Sequence, residues 1–95
     1  MSYKETRLTV RPDTSAPFWD YPAELKNHIS VTYVDPGLRE SLDILVSEDG
    51  LTRTINVTWK DLEAQTVFCS DPKVIQGFID REQYNYINRI ISYMV

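Results

Sequence analysis

The sequence predicts one α+β domain spanning residues 1–95, with a four-stranded antiparallel sheet and two helices on one of its faces. Three observations predict it. Asp49-Gly50 stands between two alternating runs in "LDILVSEDGLTRTINVTW", residues 42–59, which reads as a β-hairpin. Stretches of helical character lie on both sides of that hairpin, and segments suited to strands lie near both ends of the chain. The resulting order is strand, helix, hairpin, helix, strand, or βαββαβ.

The first strand is "KETRLTVR", residues 4–11, where weak alternation puts Leu8 and Val10 on one face and Arg7 and Thr9 on the other. Pro12 ends it by lacking a ladder donor. Residues 12–22, "PDTSAPFWDYP", form a loop that carries Phe18, Trp19 and Tyr21. From Pro22, "PAELKNHISVTYV" predicts a helix with proline at its first position and Glu24 in its first turn. Leu25, His28, Ile29 and Tyr33 share its inner side, although "SVTYV" suits an extended segment equally well. Asp35-Pro36-Gly37 ends either structure.

In the hairpin, a two-residue type I′ turn at Asp49-Gly50 pairs Glu48 with Leu51, Val46 with Arg53, Ile44 with Ile55 and Leu42 with Val57. That face is largely apolar and is expected to be core. The other face pairs Ser47 with Thr52, Leu45 with Thr54, Asp43 with Asn56 and Ser41 with Thr58, and is expected to be wet or lightly covered. Arg7 and Thr9 are expected to join this polar face from the first strand.

Thr58 and Asp61 have capping-box spacing for a helix through "WKDLEAQTVF", with Trp59, Leu62, Ala64 or Gln65, and Phe68 inward. "SDP" restarts the helix, with Ser70 or Asp71 as cap and Pro72 in the first turn. Val74, Ile75, Phe78, Ile79, Tyr86 and Ile87 then follow a helical period. Gly77 inside that helix costs about 1 kcal/mol against alanine and points to a close helix-to-sheet approach. The tail "NRIISYMV", residues 88–95, suits a last strand, with helix continuation through Ile90 and Ile91 as the competitor.

Ten Lys and Arg against fourteen Asp and Glu give a net charge of -4, which argues against nucleic-acid binding and against a membrane surface as partner. Cys69 is the only cysteine, so no internal disulfide forms and a reducing compartment fits. No signal-like or membrane-spanning apolar run is visible, and a cytoplasmic protein is expected. One histidine and one cysteine do not make a zinc site, and the three glycines form no phosphate loop, so no metal or cofactor is expected. The carboxylates Asp13 and Asp20, or Asp80 and Glu82, show no special spacing.

The βαββαβ order resembles a ferredoxin-like α/β plait. With "NVTWKDLEAQ" running from the third strand through Trp59 into a helix, it is similar to the dimeric α+β barrel superfamily of antibiotic-biosynthesis-monooxygenase type. The sequence style also resembles small uncharacterised proteins of T4-like marine phages, which would imply host cytoplasm or virion and no particular activity. The barrel resemblance implies a homodimer formed by two sheet faces, here offering Asp43, Leu45, Thr54 and Asn56. It also implies, for an enzyme or small-molecule binder of that type, a pocket combining Trp59 with His28 or Tyr33. By alternation Asn56 and Trp59 point to opposite faces and do not line one pocket.

No catalytic residue is assigned. His28 is expected as an ordinary helix residue and Cys69 as a small hydrophobe at a helix end. The leading expectation is a non-catalytic structural or protein-interaction domain, acting as a homodimer or on another protein. Its interaction candidates are Phe18, Trp19 and Tyr21 in the proline-bounded loop, and Tyr84, Tyr86 and Arg89 in "REQYNYINRI".

Overall fold

A computed structural model describes residues 1–95. The strands are β1 (Tyr3–Val10), β2 (Arg39–Val46), β3 (Thr52–Trp59) and β4 (Ile91–Met94). The helices are α1 (Ala23–Ile29), α2 (Leu62–Ser70) and α3 (Pro72–Ile87). "SVTYV" is helical rather than extended: it prolongs α1 as a π-type turn over Ser30–Val34 that buries Tyr33. The tail is a strand, β4, and not a continuation of α3.

The sheet is open and antiparallel throughout, in the order β2-β3-β1-β4, so the hairpin's outer strand and the short last strand are its edges. This α+β layout is compatible with a ferredoxin-like plait. The three helices lie over a single face of the sheet.

The hairpin has the register that alternation requires: Leu42 opposite Val57, Ile44 opposite Ile55, Leu45 opposite Thr54 and Val46 opposite Arg53. Its turn differs from the type I′ expectation. Gly50 has φ +75°, but Asp49 does not share the left-handed region. The Gly50 N–H donates to the Ser47 carbonyl at 2.9 Å, so the turn spans Ser47–Gly50. Local side chains favour this wider turn: Asp49 Oδ1 accepts from the Leu51 N–H and the Ser47 hydroxyl, while Ser47 Oγ accepts from the Thr52 N–H. A β-bulge at Glu40 brings Arg39 opposite Trp59.

The first strand is turned over relative to its expected orientation. Tyr3 pairs with Trp59, Arg7 with Ile55 and Thr9 with Arg53, so Arg7 and Thr9 face the helices while Leu8 and Val10 face away. Trp59 explains the register. It is 1% exposed, and its indole Nε1–H donates to the Glu5 carboxylate at 2.8 Å, drawing the odd-numbered residues of β1 inward. A one-residue slip, which would bury Leu8, would break that bond.

The helix ends are set by aspartates. Thr58 does not cap α2, because β3 runs through Trp59; Asp61 caps it instead, accepting from the Ala64 N–H at 2.8 Å. Asp71 caps α3, accepting from the Lys73 N–H, with Pro72 as its first residue. On α2, Ala64 and Phe68 are buried while Leu62 is exposed. On α3 the inner stripe is Val74, Gly77, Phe78, Arg81 and Asn85, whereas Ile75, Ile79, Tyr86 and Ile87 face solvent. The rotation is fixed at Gly77, where an added Cβ would come within 2.5 Å of Leu25 Cδ2 and 3.4 Å of the Tyr21 ring. The close approach is therefore to α1 and the preceding loop, not to the sheet.

The core comprises Ile29, Tyr33, Trp59, Ala64, Phe68 and Val74, gathered at the Trp59 end of the sheet. Phe68 is its hub, with ring centroids 4.8 Å from Trp59, 5.0 Å from Tyr33 and 6.0 Å from Phe78. From this cluster toward the other end of the sheet the layers leave a cavity that opens along β2.

Candidate functional site: an arginine-lined cavity

The cavity has a volume of about 530 Å³ and lies between the helices and the inward face of the sheet. That is the size range of small-molecule sites. Its apolar walls include Ile55, Val57 and Trp59 from β3, Phe68 from α2 and Phe78 from α3. Leu42 and Ile44 of β2 line it as well, yet each is about half exposed, so the cavity opens along that edge strand. Trp19 and Tyr21 close part of it from the loop, ring to ring at 5.1 Å.

Charge is concentrated here. Arg7, Lys26, Arg39, Arg53 and Arg81 line the cavity against only Glu5 and Asp20, a local excess of positive charge in a chain of net -4. Both carboxylates are already engaged. Glu5 accepts from Trp59 and, at 3.4 Å, from Gln65 Nε2, while Asp20 pairs with Lys26 at 2.6 Å. No carboxylate lies within ion-pair distance of Arg7, Arg39 or Arg53, and Arg81 reaches only the exposed Glu82, at 3.9 Å. Arg7 Nη1 donates to Ser92 Oγ, and Arg53 Nη2 donates to the Trp19 carbonyl.

The Nε atoms of Arg53 and Arg81 are buried without an acceptor. Asn85, 5% exposed, has an Oδ1 without a donor. Burial, and then the neighbouring Arg7, hold Arg81 below the ordinary arginine value; burial does the same to Arg53 and Arg39. Cys69 also borders the cavity, where burial pushes its thiol up and away from the reactive thiolate. No group of three or more histidine, cysteine or carboxylate side chains is placed to hold a metal ion.

The residues picked out by sequence are distributed over several places. Trp59 lines the cavity, but His28 and Tyr33 do not. Tyr33 donates its hydroxyl to Asp71 Oδ2 at 2.6 Å, and His28 Nε2 meets the same oxygen at 2.7 Å. The three are connected only through Phe68, which packs on both Tyr33 and Trp59.

In the loop, Phe18, Trp19 and Tyr21 are half-buried and fold back on the domain. The Phe18 ring lies under the guanidinium groups of Arg11 and Arg53, at 4.2 and 4.9 Å. Tyr84 is half-buried and donates to the Pro17 carbonyl at 2.6 Å, whereas Tyr86 and Arg89 are exposed. Arg7, Arg39, Arg81 and Asn85 were not among the sequence candidates. Arg53 had a visible signal, because the hairpin register already placed it on the apolar face.

Asp43, Leu45, Thr54 and Asn56 do lie together, on the sheet face that carries no helix. One row there runs Leu45, Thr54, Leu8, Tyr93 across all four strands, with Val10 and Ile91 beside it. The adjacent row holds Asp43, Asn56 and Thr6, whose hydroxyl donates to Asn56 Oδ1 at 2.7 Å. None of these residues is buried. No helix of the protein is long and apolar enough to cross a membrane. No protein-family model, curated protein or solved structure matches the chain.

Proposed function

We propose that this chain is a non-catalytic binding domain with the layout of a ferredoxin-like plait, and that it works as a homodimer joined through the helix-free face of its sheet. The observation that carries the proposal is the row Leu45, Thr54, Leu8 and Tyr93, widened by Val10 and Ile91. The exposures of Leu45, Tyr93 and Ile91, 55%, 46% and 63%, leave substantial apolar area for a second copy to cover. The overturned first strand is what makes the face suitable, since it exchanges Arg7 and Thr9 for Leu8 and Val10.

Total accessible surface supports the same reading. A compact monomer of 11.1 kDa exposes about 5,700 Å² by size scaling, against 6,255 Å² here. The excess, about 550 Å² by that scaling, is about two thirds of the roughly 800 Å² that each partner buries in an interface of standard size. A two-fold contact needs only one self-complementary patch, and the polar row through Asp43 and Asn56 would form its wet margin.

Light scattering across a wide range of concentration tests the proposal, with the wild-type chain beside a Leu45→Lys/Tyr93→Lys variant. The expected result is a wild-type dimer and a folded, monomeric variant. A wild-type monomer at every concentration, or a dimer that survives both lysines, overturns it.

A further inference from the structure

We infer that the cavity on the other face of the sheet is a binding site for a small organic acid, its carboxylate held by Arg7, Arg53 and Arg81 and its apolar body against Leu42, Ile44, Ile55 and Val57. Arg7 and Arg53 lie in adjacent rows of neighbouring strands, because Arg7 pairs with Ile55 and Arg53 with Thr9. Arg81 of α3 lines the same cavity, with its side chain 14% exposed. Three guanidinium groups thus line one cavity with no carboxylate within ion-pair distance of Arg7 or Arg53 and only the exposed Glu82, at 3.9 Å, beside Arg81, and two keep a buried Nε–H with no acceptor. Such an arrangement costs free energy, because the only ion pair among these cations is the long one from Arg81 to the exposed Glu82. A carboxylate in the cavity supplies the opposite charge, and its two oxygens match the fork that a guanidinium offers.

The rest of the cavity specifies the body of the ligand. Apolar residues make up 12 of the 23 that line it, so an inorganic anion would leave most of the wall uncovered. Asn85 adds one polar group, able to donate or accept according to how its amide is turned. The acid is therefore one with a single charged end and a hydrocarbon body, either a flat aromatic ring system or an alkyl chain. This site does not depend on the proposed dimer, which uses the opposite face.

The test is an NMR titration of the full chain, following the arginine Nε–H signals of Arg53 and Arg81. The probes are naphthalene-2-carboxylate, decanoate, the uncharged 2-naphthamide and inorganic phosphate. At least one carboxylate is expected to shift both signals and to bind about tenfold or more tightly than naphthamide and phosphate. A response to naphthalene-2-carboxylate alone identifies an aromatic acid, and a response to decanoate alone an alkyl one. Arg81→Met, with Arg7→Gln as a second variant, should keep the circular dichroism of the wild type and lose the preference for the charged probe. The inference is overturned if neither carboxylate moves the two signals, if naphthamide or phosphate binds as tightly, or if both folded variants retain the preference.

Discussion

Asp71 performs two tasks with its two oxygens. Oδ1 caps α3 by accepting from the Lys73 N–H at 2.9 Å, and Oδ2 receives Tyr33 and His28. Through the cap, the start of α3 is tied to α1 and the π-type turn that follows it. Burial works to raise the Asp71 pKa, but hydrogen bonds from Tyr33, His28 and Lys73 hold it down at about 2, from an ordinary 3.8. A carboxylate depressed in the folded state stabilises the fold above its unfolded pKa. That contribution is lost as pH falls from about 4 through about 2, and it amounts to about 2 kcal/mol. Asp71→Asn can keep the cap but sets an amide N–H₂ or a weaker acceptor against Tyr33 and His28. Urea denaturation is expected to show a loss of about 2 kcal/mol at pH 7 and a flatter stability profile between pH 4 and 2. An unchanged acid limb would show that Asp71 does not govern it. Tyr33 acts at the other extreme: burial, and then Asp71, push its hydroxyl up to about 12, so its contribution is complete below pH 10 and fades as pH rises toward 12.

Among the elements, α3 has the most informative ending. The Ile90 N–H donates to the Asn85 carbonyl and the Arg89 N–H to the Tyr86 carbonyl, the two bonds of a Schellman motif, with Ile90 buried beyond it. The motif demands a left-handed residue at Arg89, which has φ +58°, although arginine is not suited to that region. Arg89→Gly is therefore expected to stabilise the protein by about 1 kcal/mol, seen as a higher urea midpoint with an unchanged slope. A drop in midpoint would mean that the exposed Arg89 side chain contributes more than its backbone conformation costs. Glycine would have marked this helix end in the sequence; its absence left residues 88–95 open between strand and helix. The hairpin was legible in register from Ser41 to Val46, because both strands alternate, although the turn beyond them is wider than Asp-Gly suggests. Alternation in β1 is too weak to place Arg7, whose orientation comes from a distant partner, Trp59 on Glu5. The inner stripe of α3 departs from the sequence pattern for a similar reason. Four of its apolar residues are exposed, and a glycine against Leu25 decides which side faces in.

At the scale of the whole molecule, charge and burial are distributed unevenly. Only 10 of 95 residues are buried, most of them around Phe68 and Trp59, while the remaining length of the sheet faces either solvent or the cationic cavity. A negative chain that gathers five of its ten basic residues around one cavity accepts repulsion there that folding alone does not require. The consequence is a trade between stability and binding, measurable without any ligand. Arg81 bears it most directly: its Nε–H lacks an acceptor, Arg7 and Arg53 act on it, and its nearest carboxylate is the exposed Glu82. Methionine keeps the unbranched stem in the same space and removes the charge. Arg81→Met is therefore expected to gain about 1 kcal/mol, raising the melting temperature of the ligand-free protein by roughly 4–8 °C in a thermal scan. The opposing contribution is the guanidinium over the Phe78 ring, 5.0 Å from its centroid, worth about 1–2 kcal/mol at a site this desolvated. A rise in melting temperature places the cost of the desolvated cation above that stacking and marks Arg81 as a residue kept at the expense of stability. A fall reverses the ranking and makes Arg81 a packing residue of α3, whose charge is incidental to the cavity it borders.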